Sequence, residues 1–81
     1  MRELKDIFTK DKIADVIYLI SKQLNINHFS VIRWFYTQRK PSKSLFLKLF
    51  YIINKSNLFD EKEKKEINEK LKNLYKKYYN F

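Results

Sequence analysis

At 81 residues the chain has room for one domain, and 44% hydrophobic with 17% aromatic residues exclude the disordered class despite 33% charged ones. Cysteine is absent, which excludes disulfides, thiolate metal sites and cysteine nucleophiles together. A formal net charge of +9 turns attention to anionic partners.

The segment Met1 to Asp6 lacks the apolar run of a secretory signal. The longest apolar stretch, Leu45 to Ile53, is interrupted by Lys48 and falls short of the ~18 residues that span a bilayer. A cytoplasmic protein with no membrane partner is expected. Glycine is absent too, so any left-handed backbone position must be filled by another residue, and Asn is the cheapest substitute. Asn25, Asn54 and Asn57 are the candidates.

Leu4, Ile7 and Phe8 have the spacing of a short amphipathic helix, and Ile13, Val16, Ile17, Ile20 and Leu24 continue with helical period. Between them, either Thr9 or Asp11 caps a new helix, or the first runs to about Ile13 and the second starts near Val16. The second helix ends at Leu24, with Asn25 as a left-handed terminator, Ile26 as an apolar plug and Asn27 as N-cap of a third helix, His28 to about Tyr36. Lys40 precedes Pro41, so the third helix stops before it. A fourth helix, capped by Ser42 or Ser44, presents Leu45, Phe46, Leu49, Phe50, Ile52 and Ile53. Asn54 to Leu58 reads as a loop, and Asp60 with Glu63 as a capping box opening a last helix, residues 60 to about 79. Its apolar seam is Ile67, Leu71, Leu74, Tyr78 and Phe81. No strand alternation or repeat is present. The fold class is all-α: one compact five-helix domain, residues 1–81, with a long C-terminal helix.

The charge is unevenly spread. Residues 28–58 hold Arg33, Arg39, Lys40, Lys43, Lys48 and Lys55 with no acid, and no carboxylate side chain lies between Asp15 and Asp60. Folded surfaces normally intersperse both signs, so an acid-free block reads as a footprint for a polyanion. Catalysis is not expected: there is one histidine, no Gly-rich loop, and acids occur only near the two ends. No cofactor, metal or small-molecule ligand is implied.

The stretch Ile20 to Ser42, "ISKQLNINHFSVIRWFYTQRKPS", resembles the phage-repressor helix–turn–helix family, the Cro and cI type also called XRE-like. The likeness rests on Ser21 and Leu24, the turn, Val31, the Arg33–Trp34 pair, and Arg39, Lys40, Pro41 and Ser42 before an apolar helix, and it covers roughly residues 16 to 54. It implies a helix–turn–helix over about residues 16–36, double-stranded DNA as partner, and a transcriptional repressor or regulator of phage or mobile-element type in a bacterial, archaeal or phage-infected cell. It also implies a homodimer reading two half-sites about 34 Å apart. The third helix would lie in the major groove with His28, Phe29, Ile32 and Arg33 on its free side. Arg33 is the first candidate for a base contact, since arginine pairs bidentately with guanine. His28 reads as a donor to a base edge or phosphate. Phe29 and Ile32 either meet thymine methyl groups or pack against protein. Asn27 and Ser30 bond to phosphate or to the helix backbone; Tyr36, Arg39, Lys40 and Lys43 read as phosphate contacts, and Trp34 as core.

Three departures carry consequences. Thr37 stands near a frequent Gly, so the exit from the third helix differs; Phe35 replaces a common acid, so that helix packs differently; Ile17 replaces a phosphate-contacting polar residue, so that contact is missing. The seam of the last helix, Ile67, Leu71, Leu74 and Tyr78, either packs on its own domain or pairs with a second copy. The alternative functional expectation is an interaction module, inhibitor or antitoxin-like, that uses the same scaffold to bind an acidic protein.

Overall fold

A computed structural model describes residues 1–79, and the last residue of the expected seam, Phe81, lies outside them. Five α-helices follow one another: α1 (Glu3–Ile7), α2 (Ile13–Leu24), α3 (His28–Tyr36), α4 (Lys43–Lys55) and α5 (Glu61–Tyr79). A single 3-10 turn, Lys10–Lys12, precedes α2. Among the described residues there is no strand, and no helix is long and apolar enough to cross a membrane.

The helix ends follow from local chemistry. With no glycine to terminate α2, Asn25 adopts the left-handed conformation at φ 54° and ψ 47°, and its N–H donates to Lys22 and Ser21 carbonyls. It is the one non-Gly residue with positive φ among those described, so Asn54 and Asn57 are not left-handed. Two residues on, the Asn27 side chain accepts from the Phe29 N–H at 2.8 Å and starts α3. Ser42 caps α4 by accepting from the Leu45 N–H at 3.3 Å. Asp60 and Glu63 form a reciprocal capping box, with bonds of 2.8 and 3.1 Å.

Some junctions depart from expectation. Neither Thr9 nor Asp11 caps α2; the 3-10 turn feeds it directly and Lys12 offers no cap. The turn swings the Lys12 ammonium onto the Leu58 carbonyl at 2.9 Å and the Glu63 carboxylate at 3.0 Å, joining it to the start of α5. Thr37 needs no left-handed geometry, because it is extended at φ −127° and its N–H and hydroxyl both donate to the Arg33 carbonyl, at 2.9 and 2.6 Å. Asn54 and Lys55 continue α4 rather than opening the loop; the Asn54 amide exchanges two bonds with Asn68 of α5, at 2.8 and 2.9 Å.

One core gathers from all five helices. Leu4, Val16, Ile20, Val31, Phe35, Phe46, Leu49, Ile53 and Leu71 are fully buried, and Trp34 is nearly so. Each such side chain contributes roughly 1.5–3 kcal/mol of burial. Phe35 stacks on Phe8 at 6.0 Å between ring centroids, so the residue standing in for an acid ties α3 to the segment after α1. Ile17, also buried, presents nothing to a phosphate. Leu24 and Ile26 pack at the edge of the core and close the α2–α3 turn.

The seam of α5 faces its own domain. Ile67, Leu71 and Leu74 are buried in this core. Tyr78 is only half-buried, and Tyr79 takes the interior place at 4% exposure. The reason lies in what each tyrosine meets. Phe46 of α4 draws in Tyr75 and Tyr79, one turn apart, at ring distances of 6.2 and 5.1 Å. The Tyr78 hydroxyl instead donates to Glu3 at 2.6 Å.

Candidate nucleic-acid interface

Helical periodicity divides α3 into three faces. Val31, Trp34 and Phe35 point into the core. Phe29, Arg33 and Tyr36 form the opposite, outward crest; Phe29 is 65% and Tyr36 47% exposed, and Arg33 is exposed as well. The remaining positions line the two flanks. His28 and Ile32 face α2 and share a groove of about 300 Å³ with Lys10, Ile13, Ala14, Ile17 and Tyr36. On the other side Ser30 and Trp34 share a groove of about 290 Å³ with Arg33, Arg39 and Lys40. Neither groove has a carboxylate in its lining.

The positions expected to touch bases are divided between the crest and the flank beside it. Arg33 and Phe29 stand on the crest. His28 is exposed beside it, its ring edge-on to Phe29 at 6.2 Å, and Ile32 is half-buried against the core. Among the expected phosphate contacts, Asn27 commits its side-chain oxygen to the α3 cap and Ser30 is half-buried in the basic groove. Arg39, Lys40 and Lys43 are exposed.

The loop carrying Arg39 and Lys40 is held from several directions. The Met1 N–H groups donate to the Thr37 carbonyl at 2.6 Å and to the Arg39 carbonyl. The Arg39 N–H donates to the Thr37 hydroxyl at 3.2 Å. The buried Tyr79 hydroxyl donates to the Pro41 carbonyl, and burial pushes its pKa up to about 12, so it remains a donor at any working pH. The Lys40 ammonium lies 4.7 Å from the Tyr79 ring centroid and that of Lys43 lies 5.8 Å from Tyr75. A cation over a ring keeps its charge and its water-facing donors.

Every ion pair among the described residues lies outside the central block: Lys12 with Glu63, Lys64 with Glu61, Lys77 with Glu3. None of Arg33, Arg39, Lys40, Lys43, Lys48 and Lys55 takes part in one. Two further cations reach the same region from the N-terminal segment. Lys10 lines the His28–Ile32 groove, and Lys5 sits over the Tyr36 ring at 5.8 Å. Their neighbours in sequence, Asp6 and Asp11, mask them from a running charge count. Only the path of the chain brings them beside α3.

No protein-family model matches the chain, and no curated protein or solved structure does either.

Proposed function

We propose that the chain is a sequence-specific, double-stranded DNA-binding protein, a transcriptional repressor or regulator of phage or mobile-element type. In this reading α2, the Asn25–Asn27 turn and α3 form a helix–turn–helix of the Cro and cI kind, and α3 enters the major groove. The observation that carries it is the convergence of Arg33, Arg39 and Lys40, none of them ion-paired among the described residues, on one groove with no carboxylate in its described lining, beside an exposed helix crest. Unpaired cations in one patch repel one another, and a bound polyanion relieves that repulsion. Arg33, from the crest, reads a base edge; Arg39, Lys40 and Lys43 hold the backbone, assisted by the positive dipole end of α4. Ile67, Leu71 and Leu74 are engaged in the domain's own core, so two copies on adjacent half-sites would meet through other surface.

A second reading is an interaction module for an acidic protein. It draws on the same basic face and on Leu47 and Tyr51, exposed one turn apart on α4.

Selection from a randomised duplex pool, followed by binding at two salt concentrations, separates them. The DNA reading expects a defined sequence motif and an affinity that falls on the order of 10³-fold between 50 and 200 mM salt if about six phosphates are engaged. Replacing Arg39 and Lys40 by Ala lowers the salt slope by about 1 per contact. Arg33→Ala removes about 1–3 kcal/mol of discrimination at one position while nonspecific affinity changes less. A motif that is absent for wild type, or one unchanged by Arg33→Ala, counts against the reading.

A further inference from the structure

We infer that Phe29 is a thymine-methyl sensor that works beside Arg33, so the site read by α3 contains a thymine within about two base pairs of the arginine-contacted guanine. This rests on the DNA-binding reading above.

The ring is placed where no core needs it. Phe29 lies on the outward crest of α3 and is the most exposed large apolar side chain among the described residues, at 65%. Its position is nevertheless defined: the Asn27 side chain holds its N–H at 2.8 Å, and the His28 ring stands edge-on at 6.2 Å. It begins the helix turn that Arg33 completes, four residues later on the same face, about 6 Å further along the axis.

The surroundings select the occupant. The grooves on both flanks of this crest are lined by Arg33, Arg39 and Lys40 on one side and by Lys10 and His28 on the other, with no carboxylate. A second copy of this chain would bring the same positive field against its own. An anionic duplex is the complementary partner. Of the groups that base pairs display in the major groove, the thymine C5 methyl is the apolar one; the others are donors and acceptors that a phenyl ring cannot satisfy. The rise of about 3.4 Å per base pair is measured along the duplex axis and the path along the groove is longer, so about 6 Å along the groove spans at most about two steps.

The test starts from the best duplex chosen by selection and replaces each thymine in turn by deoxyuridine, which removes the methyl and leaves the pairing intact. One position, within about two base pairs of the guanine whose preference Arg33→Ala erases, is expected to lose about fourfold in affinity, the effect of one buried methyl. Phe29→Ala, checked for an unchanged melting temperature, should bind the thymine and uracil duplexes equally, and Phe29→Leu should keep part of the difference. If a motif exists but no uracil substitution matters, or if the difference persists in Phe29→Ala, the sensor is overturned and the DNA-binding reading stands. If no duplex motif exists, both fall together.

Discussion

Three lysines at the two ends of the chain and the cations in its middle are held in opposite ways. At the ends Lys12, Lys64 and Lys77 are ion-paired in place. Lys12 bridges the Leu58 carbonyl and Glu63, while Lys77 and the Tyr78 hydroxyl both donate to Glu3, whose carboxyl is driven down to about 2, first by the Lys77 bond and then by that of Tyr78. These contacts tie α1 and the 3-10 turn to α5. In the middle, cations lie over tyrosine rings or open to solvent, and their loop is fixed through its carbonyls rather than through its charges. A backbone held through its carbonyls, by the Met1 ammonium and the Tyr79 hydroxyl, leaves the Arg39 and Lys40 side chains available to an anion. The same division runs across α3, where Phe35 is sealed inside and Phe29 stands in the open.

The largest expected break in this comparison is Phe35→Ala. It removes a fully buried ring stacked on Phe8 and should cost about 3–5 kcal/mol, read by chemical denaturation, where Phe29→Ala on the opposite face stays within about 0.5 kcal/mol. For a domain this small, the first is a large part of the total stability. Next comes Tyr79→Phe, which leaves the ring packing and removes the donor to the Pro41 carbonyl. About 1–3 kcal/mol of stability should be lost. On the DNA-binding reading, the same change should weaken duplex binding by a similar factor on every sequence, because there the freed loop would position phosphate contacts rather than base contacts. A change in sequence preference instead would give the loop a different role.

The smallest effect belongs to Glu3 and follows pH. Its folded pKa of about 2 lies below the ordinary 4.5, so its contribution is fully present above about pH 4.5 and is lost as pH falls towards 2. Glu3→Gln should therefore flatten the stability profile across that window and lower stability slightly at pH 7. Because the Lys77–Glu3 pair is largely solvated, the change in melting temperature should be small and should shrink further in salt.

Much of the framework was legible because its causes are local. The left-handed Asn25, the Asn27 cap and the Asp60–Glu63 box act within a single turn of chain, so residue identity and spacing were sufficient, while for α4 they left Ser42 and Ser44 both open. The burial of Val31 and Trp34 likewise follows from helical period. The start of α2 was not legible, since a lysine engaged with a carbonyl and a carboxylate at the far end of the domain shapes that junction, and no local cap records it. The end of the α5 seam failed for a similar reason: Tyr78 and Tyr79 are neighbours with the same side chain, and only Glu3 and Phe46 distinguish them.

For the candidate interface, the sequence by itself determined the inventory: an acid-free block of six cations, an exposed-side arginine on a short helix, and Val31 and Trp34 of that helix facing inward. Tertiary structure decided the arrangement. It set α2 beside His28 and Ile32, brought Arg39 and Lys40 to one flank and Lys5 and Lys10 towards the other, and anchored the loop through Met1 and Tyr79. Periodicity defines the direction of a side chain relative to its own helix axis; what stands beside it is set by how the helices pack, through contacts between residues far apart in the chain.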